Sequence, residues 1–272
     1  MSYFKVIIPN YNSEKFIKKC IDSILEQTFT DFDLVIVDDM STDSSVDIIK
    51  SYKDKRIHLV ENDRKRYNGG SRNVGIDYPI KTNYTLFIDN DDYFYSNDCF
   101  QTIYDKIQET HADLINLGYY YDNGSMIYVK LIRDTPGDVV RDLNVACWTK
   151  CIKSELMVHF PENTLMEDVA QHIEQVDKIE TCASIDKPFV VWNRRNENSC
   201  STKPSEKRKS SEWRQLADVY DIYPIHDYCI EEKERRIKEY LDILLSGKHV
   251  WEELSRWKRE FLEKDIVNYK KK

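Results

Sequence analysis

The chain has 272 residues, of which 41% are hydrophobic and 32% charged, and this composition is that of an ordinary globular protein with enough material for a buried core. The net charge of −8 argues against a general nucleic-acid-binding protein, and the lack of a long apolar run argues against a membrane-spanning helix or a signal peptide. The seven cysteines lack CxxC spacing, so we predict reduced thiols in a cytoplasmic protein, not disulfides or a zinc site.

The first hundred residues alternate between strand and helix patterns. Short apolar runs predict strands at 5–9, 34–37, 57–60 and 84–88, and amphipathic spacing predicts helices at 14–27, after the capping residues 41–43, and from 69 to about 78. This alternation predicts parallel strands joined by right-handed crossovers. Continuously apolar strands are typical of a parallel sheet that is buried on both faces.

Polar residues follow each of these four strands directly. The four groups are Asn10-Tyr11-Asn12, Asp38-Asp39, Glu61-Asn62-Asp63 and Asp89-Asn90-Asp91-Asp92. Because the carboxyl ends of parallel strands share one edge of the sheet, where ligands bind, we predict that all four groups meet at one site. Turn formation alone explains one such cluster but explains poorly why acidic pairs stand on apolar strand ends.

The pattern is less regular after residue 100. A helix is predicted at 101–110, a hairpin of strands at 113–121 and 126–131 around Asp122-Asn123-Gly124, a helix at 166–175, a strand at 188–192, and mixed-charge helices from 205 onward. We therefore predict an α/β domain over residues 1–202, divided into halves 1–100 and 101–202. A helical extension is predicted over residues 203–272.

The segment after the fourth strand concentrates negative charge in Asp89, Asp91 and Asp92. A hard divalent cation relieves such repulsion, since it takes oxygen ligands and leaves positions open for phosphate oxygens. An Asp-x-Asp pair is a weak signal alone, but its place at a strand end after alternating strands and helices strengthens it. We predict that Asp89 and Asp91 bind a nucleotide–metal unit.

A series of short motifs resembles the motifs of family 2 glycosyltransferases with the GT-A fold. They are Pro9-Asn10-Tyr11-Asn12, Val37-Asp38-Asp39 with Ser41-Thr42-Asp43, Gly70-Ser71-Arg72-Asn73 with Gly75, Phe87 with Asp89, Asp91 and Asp92, Met166-Glu167-Asp168, and Arg194-Arg195 with Glu197-Asn198-Ser199. The resemblance covers residues 3–202. It implies a Rossmann-like nucleotide-binding half with a mixed sheet, a nucleotide-sugar donor, and Mn²⁺ or Mg²⁺ as cofactor.

The resemblance also implies roles on the donor side. The nucleotide-sugar-binding residues would be Pro9, Asn10, Tyr11, Asp38, Asp39, Arg72, Asp89, Asn90, Arg194 and Arg195. Among them, Asp39 would hydrogen-bond the base, which we expect to be uracil, with Asp38 supporting it. Asp89 would contact ribose or sugar hydroxyls, and Asp91 would ligate the metal on the diphosphate. Arg194 and Arg195 would stabilise the diphosphate or order a loop over it.

On the acceptor side, the resemblance implies that Asp168 is the general base that deprotonates the acceptor hydroxyl. Glu167 would orient Asp168 or cap the following helix, and Asp92 would be either a second metal-side group or a helix cap. Trp148 could line the acceptor pocket or pack in the core, and two histidines, His159 and His172, could serve as ligands or bases. Two departures stand out: Met40 replaces a usual glycine, and residues 64–66 are unusually basic.

The resemblance implies a metal-dependent, inverting transferase that moves a sugar from a UDP-sugar to an acceptor hydroxyl. We expect the acceptor to be a glycan or glycolipid in bacterial surface-glycan synthesis. Basic clusters at 64–66 and 203–214 are compatible with an alternative, a phage-type glycosyltransferase that modifies hydroxylated DNA bases. A non-catalytic nucleotide-sugar-binding scaffold is the other alternative, although it would be expected to lack these carboxylates. The C-terminal helices could mediate homodimerisation or peripheral contact with the inner membrane face.

Overall fold

The structure is a computed structural model that describes residues 2–129, 134, 146–162 and 167–196, all of which belong to the unit Met1–Lys203. Its helices are α1 (Ile17–Leu25), α2 (Ser45–Ser51), α3 (Tyr67–Asp77), α4 (Cys99–Thr110) and α5 (Asp168–Asp177). Its strands are β1 (Ser2–Asn10), β2 (Phe32–Asp38), β3 (Ile57–Glu61), β4 (Thr82–Phe87), β5 (Tyr93–Phe94), β6 (Leu114–Asp122), β7 (Met126–Val129), β8 (Lys150–Lys153) and β9 (Cys182–Asn193). The predicted boundary at 202 and the helical extension lie outside the described residues.

These strands form one mixed sheet in the order β3-β2-β1-β4-β8-β6-β9-β5, and β7 pairs with the last residues of β6 on the edge whose first residues pair with β8. Strands β1 to β4 are parallel to one another, which confirms the prediction for these four strands. Strand β8 lies antiparallel between β4 and β6 and joins the two halves of the sheet. Strand β6 then pairs in parallel with β9.

Alternating residues of the central strand β1 supply two hydrophobic cores. Val6 and Ile8 pack into the larger core with α1 and α4, whereas Ile7 packs with Val35 and Phe87 on the opposite face. Each of these side chains is fully or almost fully buried, and burial of such a side chain stabilises the fold by roughly 1.5–3 kcal/mol. Strand β1 is therefore anchored on both faces, and its carboxyl end is placed firmly.

Helix α3 lies very close to β1. A Cβ atom added to Gly75 would stand 2.5 Å from Cγ2 of Ile7, so only glycine fits there. The ammonium of Lys5, a buried residue of β1, donates to the carbonyl oxygens of Ile76 at 2.9 Å and Tyr78 at 3.0 Å. This lysine satisfies carbonyls that a helix end leaves unpaired, and it fixes α3 against the sheet.

Several predicted elements keep their identity but change their ends. Helix α1 begins later than predicted, because the carbonyl oxygen of Ser13 accepts bonds from the main chains of Phe16 and Ile17 in a preceding turn. The predicted hairpin of β6 and β7 is confirmed, and Gly124 adopts a φ of 110° in its turn. None of the helices in the described ranges has the length and apolar character needed to cross a membrane.

Candidate active site

The centre of the candidate site is Arg72, a residue of α3 that is 2% exposed. Its guanidinium donates Nη2–H to Oδ1 of Asp89 at 2.7 Å and Nη1–H to Oδ1 of Asp168 at 3.1 Å, and Nη1 also bonds to Glu167. Asp89 follows β4, whereas Glu167 and Asp168 lie at the start of α5. One buried cation thus joins a predicted donor-side carboxylate to the predicted catalytic pair.

The neighbours of Arg72 in α3 bring these elements together. The Asn73 side chain exchanges two hydrogen bonds with the main chain of Phe160, at 2.7 and 2.8 Å. The Phe160 ring also lies 5.3 Å from the Arg72 guanidinium carbon. Gly69 permits close packing, since a Cβ there would stand 2.7 Å from the carbonyl oxygen of Pro161 and 3.0 Å from Cγ of Glu167. The motif therefore serves to dock Phe160, Pro161 and Glu167 onto α3.

Burial raises the pKa values of both acidic residues at the start of α5. Burial, opposed by Arg72 and reinforced by Asp168, raises the pKa of Glu167 to about 7. Burial also raises the pKa of Asp168, and Asp89 adds to this rise, while Arg72 and Lys150 oppose it. A carboxylate with a raised pKa is a stronger base, but it can accept a proton only if nearby cations keep it ionised. Asp168 meets both conditions.

The structure shows no side-chain helix capping by Glu167 or Asp92. Glu167 makes no side-chain cap hydrogen bond to α5 and contacts Arg72 instead, so the capping role is wrong. Asp92 is not a helix cap either, because α4 starts after Asp98. The Oδ1 atom of Asp92 accepts the main-chain N–H of Asn193 at 2.8 Å, and this bond ties the loop after β4 to the end of β9.

The loop after β4 fits a divalent cation. Burial and the charge of Asp89 raise the pKa of Asp91 to about 6, so a cation beside Asp91 would offset an existing electrostatic cost. Its carboxylate oxygens are the ligands that Mn²⁺ and Mg²⁺ prefer. Across the described ranges, no three His, Cys, Asp or Glu side chains are grouped to hold a metal. Phosphate oxygens of a bound diphosphate and water are oxygen ligands that would suit the same cation.

A hydrogen-bonded network connects the ends of β1, β2 and β4, as predicted from the polar strand ends. The Asn10 amide donates to Oδ1 of Asp38 at 2.7 Å, and Asn90 donates to Oδ1 of Asn10 at 3.3 Å. Asp38 also accepts the main-chain N–H of Ser41 at 2.9 Å. These three predicted residues therefore hold the ends of the three strands together.

Asp39 is 3% exposed and receives hydrogen bonds from the loop after β3. Its Oδ1 accepts from the Asn62 amide at 3.0 Å and from the Arg66 main chain at 2.7 Å, and its Oδ2 accepts the Tyr67 N–H at 2.9 Å. Lys65 pairs with the same Oδ2 at 3.2 Å. Asp39 thus anchors the start of α3, a contact that the sequence reasoning did not include.

Met40, which follows Asp39, has a φ of 63° and a half-exposed side chain. This left-handed conformation strongly favours glycine. The structure therefore explains why a glycine is usual at this position and why methionine is a costly replacement there.

The two predicted diphosphate-binding arginines have different surroundings. The guanidinium carbon of Arg194 lies 4.7 Å from the centroid of the Trp192 ring. The charge of Arg194 also acts on Asp91, where it partly opposes the rise in the pKa of that carboxyl. Arg195 forms an ion pair with Asp122 at 2.8 Å and is 60% exposed. Only Arg194 is brought near the acidic loop in this arrangement, and the diphosphate role of both remains a prediction.

Trp148 and His159 contact partners outside the Arg72 cluster. Trp148 is 5% exposed and packs against Tyr119 at 4.9 Å, which confirms the core alternative. His159 pairs with Asp77 at the surface, at 2.8 Å. The basic residues 64–66 face carboxylates of this chain, whereas the cluster at 203–214 lies outside the described residues, so the DNA alternative stays a prediction.

Two residues that contact the site were not predicted. Asn196 donates to Oδ2 of Asp91 at 2.7 Å, and the Lys65 ammonium lies over the exposed ring of Tyr11 at 2.9 Å from its centroid. Asn196 stands inside a recognised motif but is not one of its fixed positions. Lys65 lies between Arg64 and Arg66, and nothing in the sequence separates it from these neighbours.

Comparison with known proteins now defines the class. The sequence model of the family described as Glycosyl transferase family 2 matches residues 5–151, which is more than half of the chain. The chain therefore belongs to glycosyl transferase family 2. This match spans all four polar strand ends, including the carboxylate Asp91.

Curated relatives are similar over part of the chain. Glycosyltransferase GlyA of Streptococcus pneumoniae is 35% identical over 159 residues, which cover 57% of this chain and 22% of that protein. Poly(ribitol-phosphate) beta-N-acetylglucosaminyltransferase TarS of Staphylococcus aureus is 31% identical over 178 residues, which cover 60% of this chain and 30% of that protein. The matched part is thus less than a third of the length of each relative.

Solved structures share the fold. The crystal structure of S. aureus TarS 1-349 in complex with UDP-GlcNAc matches with a TM-score of 0.77 at 22% identity, covering 92% of this chain and 77% of that chain. Mannosyltransferase PcManGT from Pyrobaculum calidifontis, in complex with GDP-Man and Mn²⁺, matches with a TM-score of 0.60 at 14% identity, covering 96% and 83% of the two chains. This likeness confirms the predicted GT-A fold and carries no further conclusion.

Proposed function

We propose that this chain transfers a sugar from a UDP-sugar to a hydroxyl group of a glycan or glycolipid acceptor, in bacterial surface-glycan synthesis. The observation that carries the proposal is the buried Arg72 cluster. It places Asp168, the candidate base, and Asp89, a donor-side carboxylate, on one guanidinium at 3.1 and 2.7 Å. GlyA and TarS, both named as glycosyltransferases, support the same class of reaction.

The proposed reaction is a single displacement. The Asp168 carboxylate takes the proton from the acceptor hydroxyl while the hydroxyl oxygen bonds to the anomeric carbon of the sugar. The bond between that carbon and the diphosphate oxygen breaks, and the electron pair leaves with UDP. Attack from the face opposite the leaving group inverts the anomeric centre.

The cations of the site have separate tasks in this proposal. Arg72 holds Asp168 and Asp89 in place, and Arg194 stands on the side of Asp91, where the diphosphate would lie. Asp91, with Asp89, would hold Mn²⁺ or Mg²⁺, and a bound ion would offset the charge that develops on the departing diphosphate. We propose a cytoplasmic location, and an acceptor carried on the inner membrane face would bring the enzyme there peripherally.

Donor hydrolysis tests the proposal. UDP-, GDP- and dTDP-sugars are incubated with the full chain, with Mn²⁺ or with EDTA and without acceptor, and the released nucleotide is measured. We expect slow, EDTA-sensitive release of UDP from one donor, and its loss in Asp91→Asn and Asp168→Asn. Asp47→Asn, on the exposed face of α2, is the matched control and should retain the wild-type rate. Release that is unchanged in Asp91→Asn would contradict the assignment of the metal site.

A further inference from the structure

The Lys65 side chain occupies an unusual place between two groups of the proposed nucleoside site. Its ammonium lies 2.9 Å from the centroid of the Tyr11 ring, donates to the main-chain oxygen of Asp39 at 2.8 Å, and pairs with Oδ2 of Asp39 at 3.2 Å. Tyr11 is 47% exposed, so its ring is open to a ligand. A base that binds beside Tyr11 and Asp39 must therefore lie against the Lys65 ammonium.

The partners of Asp39 show which of its contacts can exchange. The Asn62 amide and two main-chain N–H groups are held by the loop and by the start of α3. Lys65 is the partner on a long flexible side chain, it is partly exposed, and its distance to the carboxylate is the longest of the set. An incoming N–H group can thus take over Oδ2 while the ammonium stays on the Asp39 main-chain oxygen.

We propose that Lys65 is a specificity-determining residue that donates a hydrogen bond to a carbonyl of the nucleobase beside the N–H group that Asp39 accepts. This inference rests on the proposed function, because it assumes that a nucleotide donor binds at Tyr11 and Asp39. An ammonium has three donors, and in the described part of the chain that of Lys65 donates a hydrogen bond to the Asp39 main-chain oxygen and forms an ion pair with the Asp39 carboxylate. The third donor is available to the base.

Asp39 and Lys65 then present an acceptor beside a donor. Uracil offers the complement on one edge, since its imide N–H donates and the adjacent carbonyl accepts. Cytosine offers the reverse pattern on that edge, an unprotonated ring nitrogen beside an amino group. Cytosine would therefore place a lone pair against the carboxylate and N–H groups against the ammonium, and both contacts are unfavourable.

The test measures the dissociation constants of UDP and CDP by isothermal titration calorimetry, on the full chain with Mn²⁺ present. We expect the wild type to prefer UDP. In Lys65→Met, the UDP:CDP preference should fall by roughly tenfold to a hundredfold, mostly through weaker UDP binding, because one charged hydrogen bond is lost. Lys65→Arg keeps a donor and should keep most of the preference.

Two further measurements separate the inference from its alternatives. Lys18→Met removes the same charge from an exposed position of α1 and should leave the preference unchanged. Thermal unfolding checks that Lys65→Met is folded, as expected because Asp39 retains its other donors. If UDP and CDP both bind Lys65→Met more tightly than the wild type, and by the same factor, then Lys65 blocks the site sterically and the inference is overturned.

An unchanged UDP:CDP preference in a folded Lys65→Met would also overturn the inference, while the proposed function would stand. A wild-type chain that binds neither nucleotide would instead overturn the proposed function, and the inference with it. Guanine carries a similar N–H and carbonyl pair, so the comparison of two pyrimidines isolates the contribution of Lys65 from that of base size.

Discussion

Replacement of Arg72 by methionine removes a buried cation that contacts the buried carboxylate of Glu167 and the partly exposed carboxylates of Asp89 and Asp168. Asp89, Glu167 and Asp168 would then face one another without the guanidinium that now lies within 3.1 Å of each. Loss of one partner from a buried ion pair costs roughly 3–5 kcal/mol, since it leaves uncompensated buried charge. We therefore expect Arg72→Met to lower the free energy of unfolding by about 3–5 kcal/mol at about pH 8.

This loss should be smaller in mild acid. Burial raises the pKa of Glu167 to about 7 although Arg72 opposes the rise, and burial likewise raises the pKa of Asp168. Without Arg72 both folded-state pKa values move further above their unfolded values. A group whose folded pKa is raised stabilises the fold at low pH and loses that contribution as the pH rises through the folded pKa. As the pH rises from about 6 to about 8, the free energy of unfolding of Arg72→Met should therefore fall more than that of the wild type.

The assay is urea unfolding followed by tryptophan fluorescence at both pH values. Arg64→Met is the matched control, because Arg64 is 65% exposed and stands 3.8 Å from its partner Glu162. Its effect should stay within about 0.5 kcal/mol. A loss below about 1 kcal/mol in Arg72→Met, or a loss that is equal at the two pH values, would refute the account of the cluster.

Three other substitutions test the fold around the site, each by urea unfolding. Met40→Gly should raise the free energy of unfolding by about 0.5–1 kcal/mol, because a φ of 63° costs methionine more than glycine loses in chain entropy; a loss would contradict this. Gly75→Ala should lower the free energy of unfolding by about 1–3 kcal/mol, because the added methyl group overlaps Ile7. When Ile7→Ala is introduced into the same chain, the combined loss should be smaller than the sum of the two single losses. A combined loss equal to that sum would argue against the overlap. Lys5→Met should cost about 1–3 kcal/mol, because the carbonyls at the end of α3 lose their donor, and an unchanged urea midpoint would show that water replaces it.

The first half of the sheet was predictable because its signals are local. Apolar runs that end in polar residues describe β1 to β4, and parallel pairing follows from the helices between them. The place of β8 was not predictable, since its pairing with β4 and β6 joins distant parts of the chain and a short apolar run does not specify its partners.

The site shows the same division. Arg72, Asp89 and Asp168 each stand in a recognisable motif. No spacing in the sequence indicates that the Arg72 guanidinium binds both carboxylates. The hydrogen-bond donors of Asp39 were harder to predict, because they come from a loop whose sequence shows only that it is polar and basic. Lys65 differs from Arg64 and Arg66 by its geometry, not by its residue type.

The late arrival of β8 has a consequence for synthesis on the ribosome. Strands β1 to β4 can pair as soon as they have emerged, but the free edge of β4 then waits while residues 88–149 are added. At roughly 5–20 residues per second, that wait lasts on the order of seconds. During this time an apolar strand edge is open to other chains. The nascent protein is therefore most vulnerable to misassociation midway through translation, and slower elongation over this stretch should lower its yield.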